Sequence, residues 1–151
     1  FLMEKENMDA QQIDNFLNRR SGILGISGLS SDFRDLEQAA NNGDERSQLA
    51  IDIFAYKVRK YIGGYVAAMG GVDAITFAGG IGENNPNYRA AVAKNLAFMG
   101  VEIDEELNAK AIRGNAEVDI STPTSTVRVL VIPTNEELMI AKDTEELVKA
   151  L

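Results

Sequence analysis

The chain has 151 residues, 45% of them apolar and 25% charged, the make-up of one globular domain with room for a core and not of a disordered segment. It holds neither cysteine nor histidine, which excludes disulfides, thiolate sites, imidazole bases and imidazole metal ligands; any acid–base or metal chemistry falls to carboxylates, hydroxyls and backbone groups. With 23 acids against 15 bases, the net charge of −8 disfavours a general nucleic-acid or anionic-membrane surface, but not a nucleotide whose phosphates meet local donors and a divalent cation.

The opening Phe1-Leu2-Met3 is followed at once by Glu4, too short an apolar run for a signal sequence, and it reads as an internal cut in a longer protein. Residues 9–20 predict a helix with Ile13, Phe16 and Leu17 on one face. Ser21-Gly22-Ile23-Leu24-Gly25-Ile26-Ser27-Gly28, with its three glycines, reads as irregular and not as a regular helix. Ser30-Ser31-Asp32 offers N-cap chemistry to a short helix through Phe33, Leu36 and Ala40, stopped at Asn41-Asn42-Gly43. Asp44 then caps a long helix to about Met69. Leu49, Ala50, Ile53, Phe54, Val58, Tyr61, Ile62, Tyr65 and Met69 recur along it at helical spacing, and Gly63-Gly64 inside it allow a close helix contact or a bend.

Ala74-Ile75-Thr76-Phe77-Ala78 reads as a buried strand and Gly79-Gly80-Ile81-Gly82-Glu83-Asn84 as the turn after it. A helix restarts near Asn85-Pro86, with proline in its first turn, and runs through Tyr88, Val92 and Leu96 to Met99-Gly100. Residues 101–103 predict a short strand and 104–112 a short helix. Residues 117–120 and 127–132 predict strands around a Thr122-Pro123-Thr124 turn, and the last helix covers 136–150. Strands alternating with helices, without repeat or linker, specify an α/β layer sandwich. The apolar run at 129–133 is far short of a membrane span.

Three turns carry chemistry-bearing residues. Glycine at 79, 80 and 82 lets a ligand approach the main chain closely, and N–H groups freed at the following helix start suit an anion; a plain tight turn uses the same residues. It is not a Walker loop, since no lysine lies between Lys60 and Lys94. Nor is it a dinucleotide fingerprint, since Asn85 stands where the third glycine is needed. In Ser30-Ser31-Asp32-Phe33-Arg34-Asp35, an arginine at a helix start is unfavourable for the helix dipole, so Arg34 has an anionic partner, either a neighbouring aspartate or a phosphate. Asp32 serves as a helix cap or accepts from a ribose hydroxyl or an exocyclic amine. In Val129-Leu130-Val131-Ile132-Pro133-Thr134-Asn135-Glu136-Glu137, a buried strand runs into a helix headed by carboxylates. They support the helix dipole, or one of them holds magnesium, which takes only one or two protein carboxylates.

Taken in order, residues 21–35, Phe77-Ala78-Gly79-Gly80-Ile81-Gly82-Glu83-Asn84 and Val131-Ile132-Pro133-Thr134-Asn135-Glu136-Glu137-Leu138 closely resemble the corresponding stretches of acetate kinases, and the likeness covers nearly the whole chain from about Met3. The resemblance implies a ribonuclease-H-like α/β domain of the acetate and sugar kinase, heat-shock chaperone and actin superfamily, with a mixed sheet flanked by helices. Residues 1–151 would be the C-terminal nucleotide-binding domain, the N-terminal domain being missing. The implied reaction is reversible transfer of the γ-phosphoryl group of ATP to acetate, giving acetyl phosphate and ADP in the cytoplasm. By resemblance, Asp32, Phe33 and Arg34 belong to the ATP site, with Arg34 near the phosphates. Gly80, Ile81, Gly82, Glu83 and Asn84 form a second ATP-binding loop, and Glu136 is the Mg2+ ligand, while Glu137 has no assigned role. The family's amino-terminal signature, acetate pocket and catalytic histidine, aspartate and arginines lie upstream of Phe1, so the isolated chain is expected to be inactive and to hold no catalytic residue. The family also implies a homodimer; the long helix with Phe54, Tyr61, Tyr65 and Met69 is either a contributor to that interface or an ordinary core helix. Two other readings are a kinase half for propionate or another short-chain acid, and a non-catalytic nucleotide-binding or dimerisation module; neither nucleic acid nor membrane is an expected partner.

Overall fold

In the computed structural model, residues 1–112, 114 and 116–149 are described. They group into two compact units, Phe1–Ala68 and Met69–Leu151.

The first unit is helical. After α1 (Leu2–Glu6), α2 (Ala10–Arg19) starts on a capping box: Asp9 accepts from the Gln12 N–H while the Gln12 side chain accepts from the Asp9 N–H. The glycine run predicted to be irregular is instead a short helix, α3 (Gly22–Ser27). Two of its three glycines bound it in the left-handed region, Gly22 at φ 62° and Gly28 at φ 70°, where glycine is favoured. Its C-terminal carbonyl at Ile26 accepts two bonds from the Arg46 guanidinium, at 3.0 and 2.8 Å, so a distant cation satisfies the end of a helix that local propensity disfavours. Asp32 caps α4 (Phe33–Asn41) and Asp44 accepts from Ser47 at the head of α5 (Glu45–Met69), both as the sequence predicts. Leu36 and Ala50 are fully buried, and the Phe33 ring packs edge-on against Phe54 with centroids 5.2 Å apart. Along α5 the predicted apolar face divides. Ala50 goes inside, joined by Ala55 from outside the predicted set, whereas Leu49, Tyr61, Tyr65 and Met69 stay exposed, and among the described residues nothing beyond the helix's own neighbouring backbone comes within 4 Å of where a side chain at Gly63 or Gly64 would stand.

The second unit is α/β. Strand β1 (Ala74–Phe77) leads into α6 (Gly79–Asn84) and α7 (Pro86–Ala93), then a single 3₁₀ turn (Ala97–Met99) and α8 (Glu105–Lys110), whose N-cap is Asp104. Strands β2 (Val118–Asp119) and β3 (Arg128–Val131) follow, and α9 (Glu136–Lys149) closes the chain; the predicted end of this helix, Ala150, lies outside the described residues. The sheet order is β1-β3-β2, with β1 parallel to β3 from Ala74↔Arg128 to Phe77↔Val131 and β2 antiparallel to β3. Period-two alternation buries Val129 and Val131 while Arg128 points out to an ion pair with Asp119. The predicted strand at 101–103 is reduced to isolated bridges, Val101↔Val127 and Ile103↔Ser121. Helix α7 ends at Ala93, short of the predicted Met99. Beyond it Leu96, Met99 and Gly100 donate three residues back, a tighter winding that keeps Leu96 buried and leaves Phe98 82% exposed. No helix among the described residues is long and apolar enough to cross a membrane.

Candidate functional site

Because β1 and β3 are adjacent and parallel, the segments leaving Phe77 and Val131 emerge at one edge of the sheet, the edge where α/β proteins bind ligands. The register continues past the strands, with the Ile132 N–H donating to the Phe77 carbonyl at 3.0 Å. This geometry brings together two of the three predicted turns, the glycine segment and the head of α9.

The glycine segment, expected to be a turn, is the short helix α6. Glycine at 79, 80 and 82 is poor helix material, and side chains at both ends compensate. At the start, Glu83 Oε1 accepts from the Gly79 N–H at 2.7 Å, and Asn84 Nδ2 donates to the Gly80 carbonyl at 3.0 Å. At the end, Arg89 Nη1 donates to the carbonyls of Gly82 and Glu83 at 2.8 and 3.0 Å. Gly82 is buried against β1: a Cβ there would stand 3.2 Å from the Phe77 carbonyl carbon, so glycine is what lets the helix lie so close to the strand. Gly80 and Asn84 are exposed, with Ile81 and Glu83 half-buried.

Arg89 is a residue the sequence reading missed. It is wholly buried on α7 and has no carboxylate partner in the bonds described; besides the α6 carbonyls it donates to Asn108 Oδ1 (2.8 Å) and to the carbonyls of Asn108 (2.7 Å) and Ala111 (2.8 Å). Burial pulls its pKa down from the usual arginine range. One guanidinium thus ties the ends of α6 and α8 together. The available signal was periodicity: Arg89 occupies the position next to Tyr88 on the face that carries Tyr88, Val92 and Leu96, where a charge has to be internally satisfied.

The Glu83 carboxylate reaches further than its own helix. Its Oε1 also accepts from the Thr134 N–H and Oγ1, both at 2.8 Å, and these bonds, the Thr134 N–H first, hold its pKa below the usual carboxylate value. Thr134 precedes Asn135, whose Oδ1 accepts from the Leu138 N–H at 3.0 Å and caps α9. Glu136 and Glu137, both exposed, share with Glu117, Pro133, Thr134 and Asn135 a surface hollow of ≈ 710 Å3 whose lining, among the described residues, carries carboxylates and no basic side chain. Among the described residues no three acidic side chains stand close enough to hold a metal ion by themselves. The exposed carboxylates at the head of α9 suit an ion such as magnesium, which takes only one or two protein carboxylates and leaves its other positions to water and phosphate oxygens.

The third turn lies in the first unit. Arg34 has the aspartate partner, donating to Asp32 from Nε at 3.1 Å and from Nη2 at 2.6 Å. Bonds from Arg34 hold the Asp32 carboxyl down at about 2, and the pairing raises Arg34 in turn. The Arg34 side chain is 88% exposed, so water and salt screen the pair and leave the fork open to another anion. Phe33, in contrast, has its ring in the core, and only its backbone is placed to contribute to a site.

An α/β protein with a mixed sheet flanked by helices, its parallel strands delivering a glycine-rich helix and an acid-headed helix to one sheet edge, is the class these features define. The acetokinase family profile matches residues 1–142, and the chain belongs to that family. It is 58% identical over 149 residues to the acetate kinase of Caldicellulosiruptor saccharolyticus, covering 99% of this chain and 37% of that protein. The crystal structure of Porphyromonas gingivalis acetate kinase superposes with a TM-score of 0.87 at 47% identity, over 98% of this chain and 37% of the other. A propionate kinase from Francisella tularensis gives a TM-score of 0.81 at 39% identity, over 93% of this chain and 35% of the other. The chain therefore spans a little over a third of the length of these relatives.

Proposed function

We propose that the chain is the nucleotide-binding part of an acetate kinase, the phosphotransferase that passes the γ-phosphoryl group of ATP reversibly to acetate. The observation that carries this reading is the family match along residues 1–142. Asp32, Phe33 and Arg34 contact ATP, with Arg34 trading its fork on Asp32 for phosphate oxygens. Gly80, Ile81, Gly82, Glu83 and Asn84 form the segment that holds the adenosine, for which the absence of a side chain at the exposed Gly80 leaves room. Glu136 is the carboxylate that holds magnesium. Bound magnesium supplies neutralisation of charge on the terminal phosphates.

Phosphoryl transfer depends on positioning and charge stabilisation by groups on both sides of the phosphate, and the resemblance assigns the acetate side to residues outside this chain. The chain alone therefore binds nucleotide without turning it over. A propionate acceptor is the second reading, supported by the likeness to the Francisella enzyme. The exposed Tyr61, Tyr65 and Met69 on α5 support a homodimer, and the lack of cysteine fits the cytoplasm.

Calorimetric titration with magnesium-ATP tests the site. Saturable binding that is lost in Arg34→Ala and in Glu136→Ala is the expected result; equal binding by all three proteins contradicts it.

A further inference from the structure

Glu83 stands among the residues assigned above to the nucleotide, yet its side chain is engaged elsewhere. One carboxylate oxygen accepts three bonds, from the Gly79 N–H at 2.7 Å and from the Thr134 N–H and Oγ1 at 2.8 Å each. Gly79 opens α6 and Thr134 lies just ahead of α9, so the carboxylate joins the two chain segments that leave β1 and β3. Bonds to an ionised acceptor are roughly twice as strong as neutral ones, and three converging on one atom fix its position. A free carboxylate facing a triphosphate would instead be repelled by it.

We propose that Glu83 is a positioning residue: its side chain clamps the glycine-rich helix to Thr134, and so sets where Glu136 stands relative to the main chain of Gly80 and Gly82, without itself touching the nucleotide. The proposal rests on the nucleotide reading of this sheet edge. It assigns the work to an interaction between residues 83 and 134, and that interaction is measurable with or without a ligand.

The experiment compares the full chain with Glu83→Ala, Glu83→Gln, Thr134→Val and the Glu83→Ala/Thr134→Val double variant. In 1H–15N spectra without nucleotide, Glu83→Ala should shift the amide protons of Gly79 and Thr134 together; unmoved amides overturn the clamp. With magnesium-ATP, Glu83→Ala should weaken binding on the order of tenfold, as loss of a supporting partner behind a metal ligand does. Thr134→Val should weaken it less. The double variant should be no worse than Glu83→Ala alone, because both changes remove one interaction. Glu83→Gln, which keeps an acceptor oxygen at the same reach, should recover most of the affinity. A lowered melting temperature with unchanged affinity would make Glu83 purely structural and overturn the proposal, as would additive losses, which mark a direct contact with the nucleotide. Should the unaltered chain bind no magnesium-ATP, the nucleotide reading falls, and the clamp is decided by the amide shifts alone.

Discussion

Arg89 shows how much one side chain can decide. A buried guanidinium costs a great deal to desolvate, and here carbonyls and one amide oxygen repay it. Replacing it by methionine, of similar bulk, orphans those acceptors, and urea unfolding should show a loss of about 3 kcal/mol or more, at about 1–3 kcal/mol per buried group left unpaired. Arg89→Lys should not rescue, because an ammonium cannot reach this spread of acceptors; a change within about 0.5 kcal/mol, the usual range for surface sites, would show the network to be dispensable. At Asp32 the consequence is pH dependence. The folded-state pKa of about 2 lies below the ordinary 3.8, so the contribution of this cap to α4 is fully present above pH 3.8 and is lost as pH falls through about 2. Asp32→Asn keeps the cap without the charge. Amide exchange at the start of α4 should rise on acidification in the parent and not in Asp32→Asn; identical profiles would remove the role given to Asp32.

At the scale of elements, helix α6 depends on its contact with β1. Gly82→Ala places a methyl 3.2 Å from the Phe77 backbone, and the strand or the helix must give way. Overpacking of this kind costs about 1–3 kcal/mol, readable as a lower midpoint in thermal denaturation; an unchanged midpoint would mean that the helix moves freely on the strand. The same element marks the limit of sequence reading. Caps at Asp32 and Asp44, the helical period of α5 and the strand at 127–132 are local patterns, and they were legible. Helices α3 and α6 were not, because glycine argues locally against a helix and what overrules it is side-chain bonding that no periodic pattern announces, from Arg46 for one and from Glu83, Asn84 and Arg89 for the other. Of the proposed site, the sequence offers only residue types: the glycines, Arg34 and Glu136. The clamp from Glu83 to Thr134 joins residues 51 positions apart, and no pattern in a single sequence encodes it.

For the whole molecule, a net charge of −8 and a hollow bearing carboxylates at the head of α9 argue that a nucleotide arrives with its cation, not through a general positive field. Binding should therefore require magnesium, and removing the metal with a chelator should abolish it. The chain given acetate, ATP and magnesium should produce no acetyl phosphate; turnover in a coupled assay would show that its own residues complete the chemistry. The central claim is that the main chain of α6 and the carboxylate of Glu136 serve one nucleotide. Amide shift mapping with magnesium-ADP tests it most directly. The account predicts saturable changes at Gly80, Gly82 and Glu136 at one common affinity. Changes confined to other parts of the chain, or none at all, would contradict it.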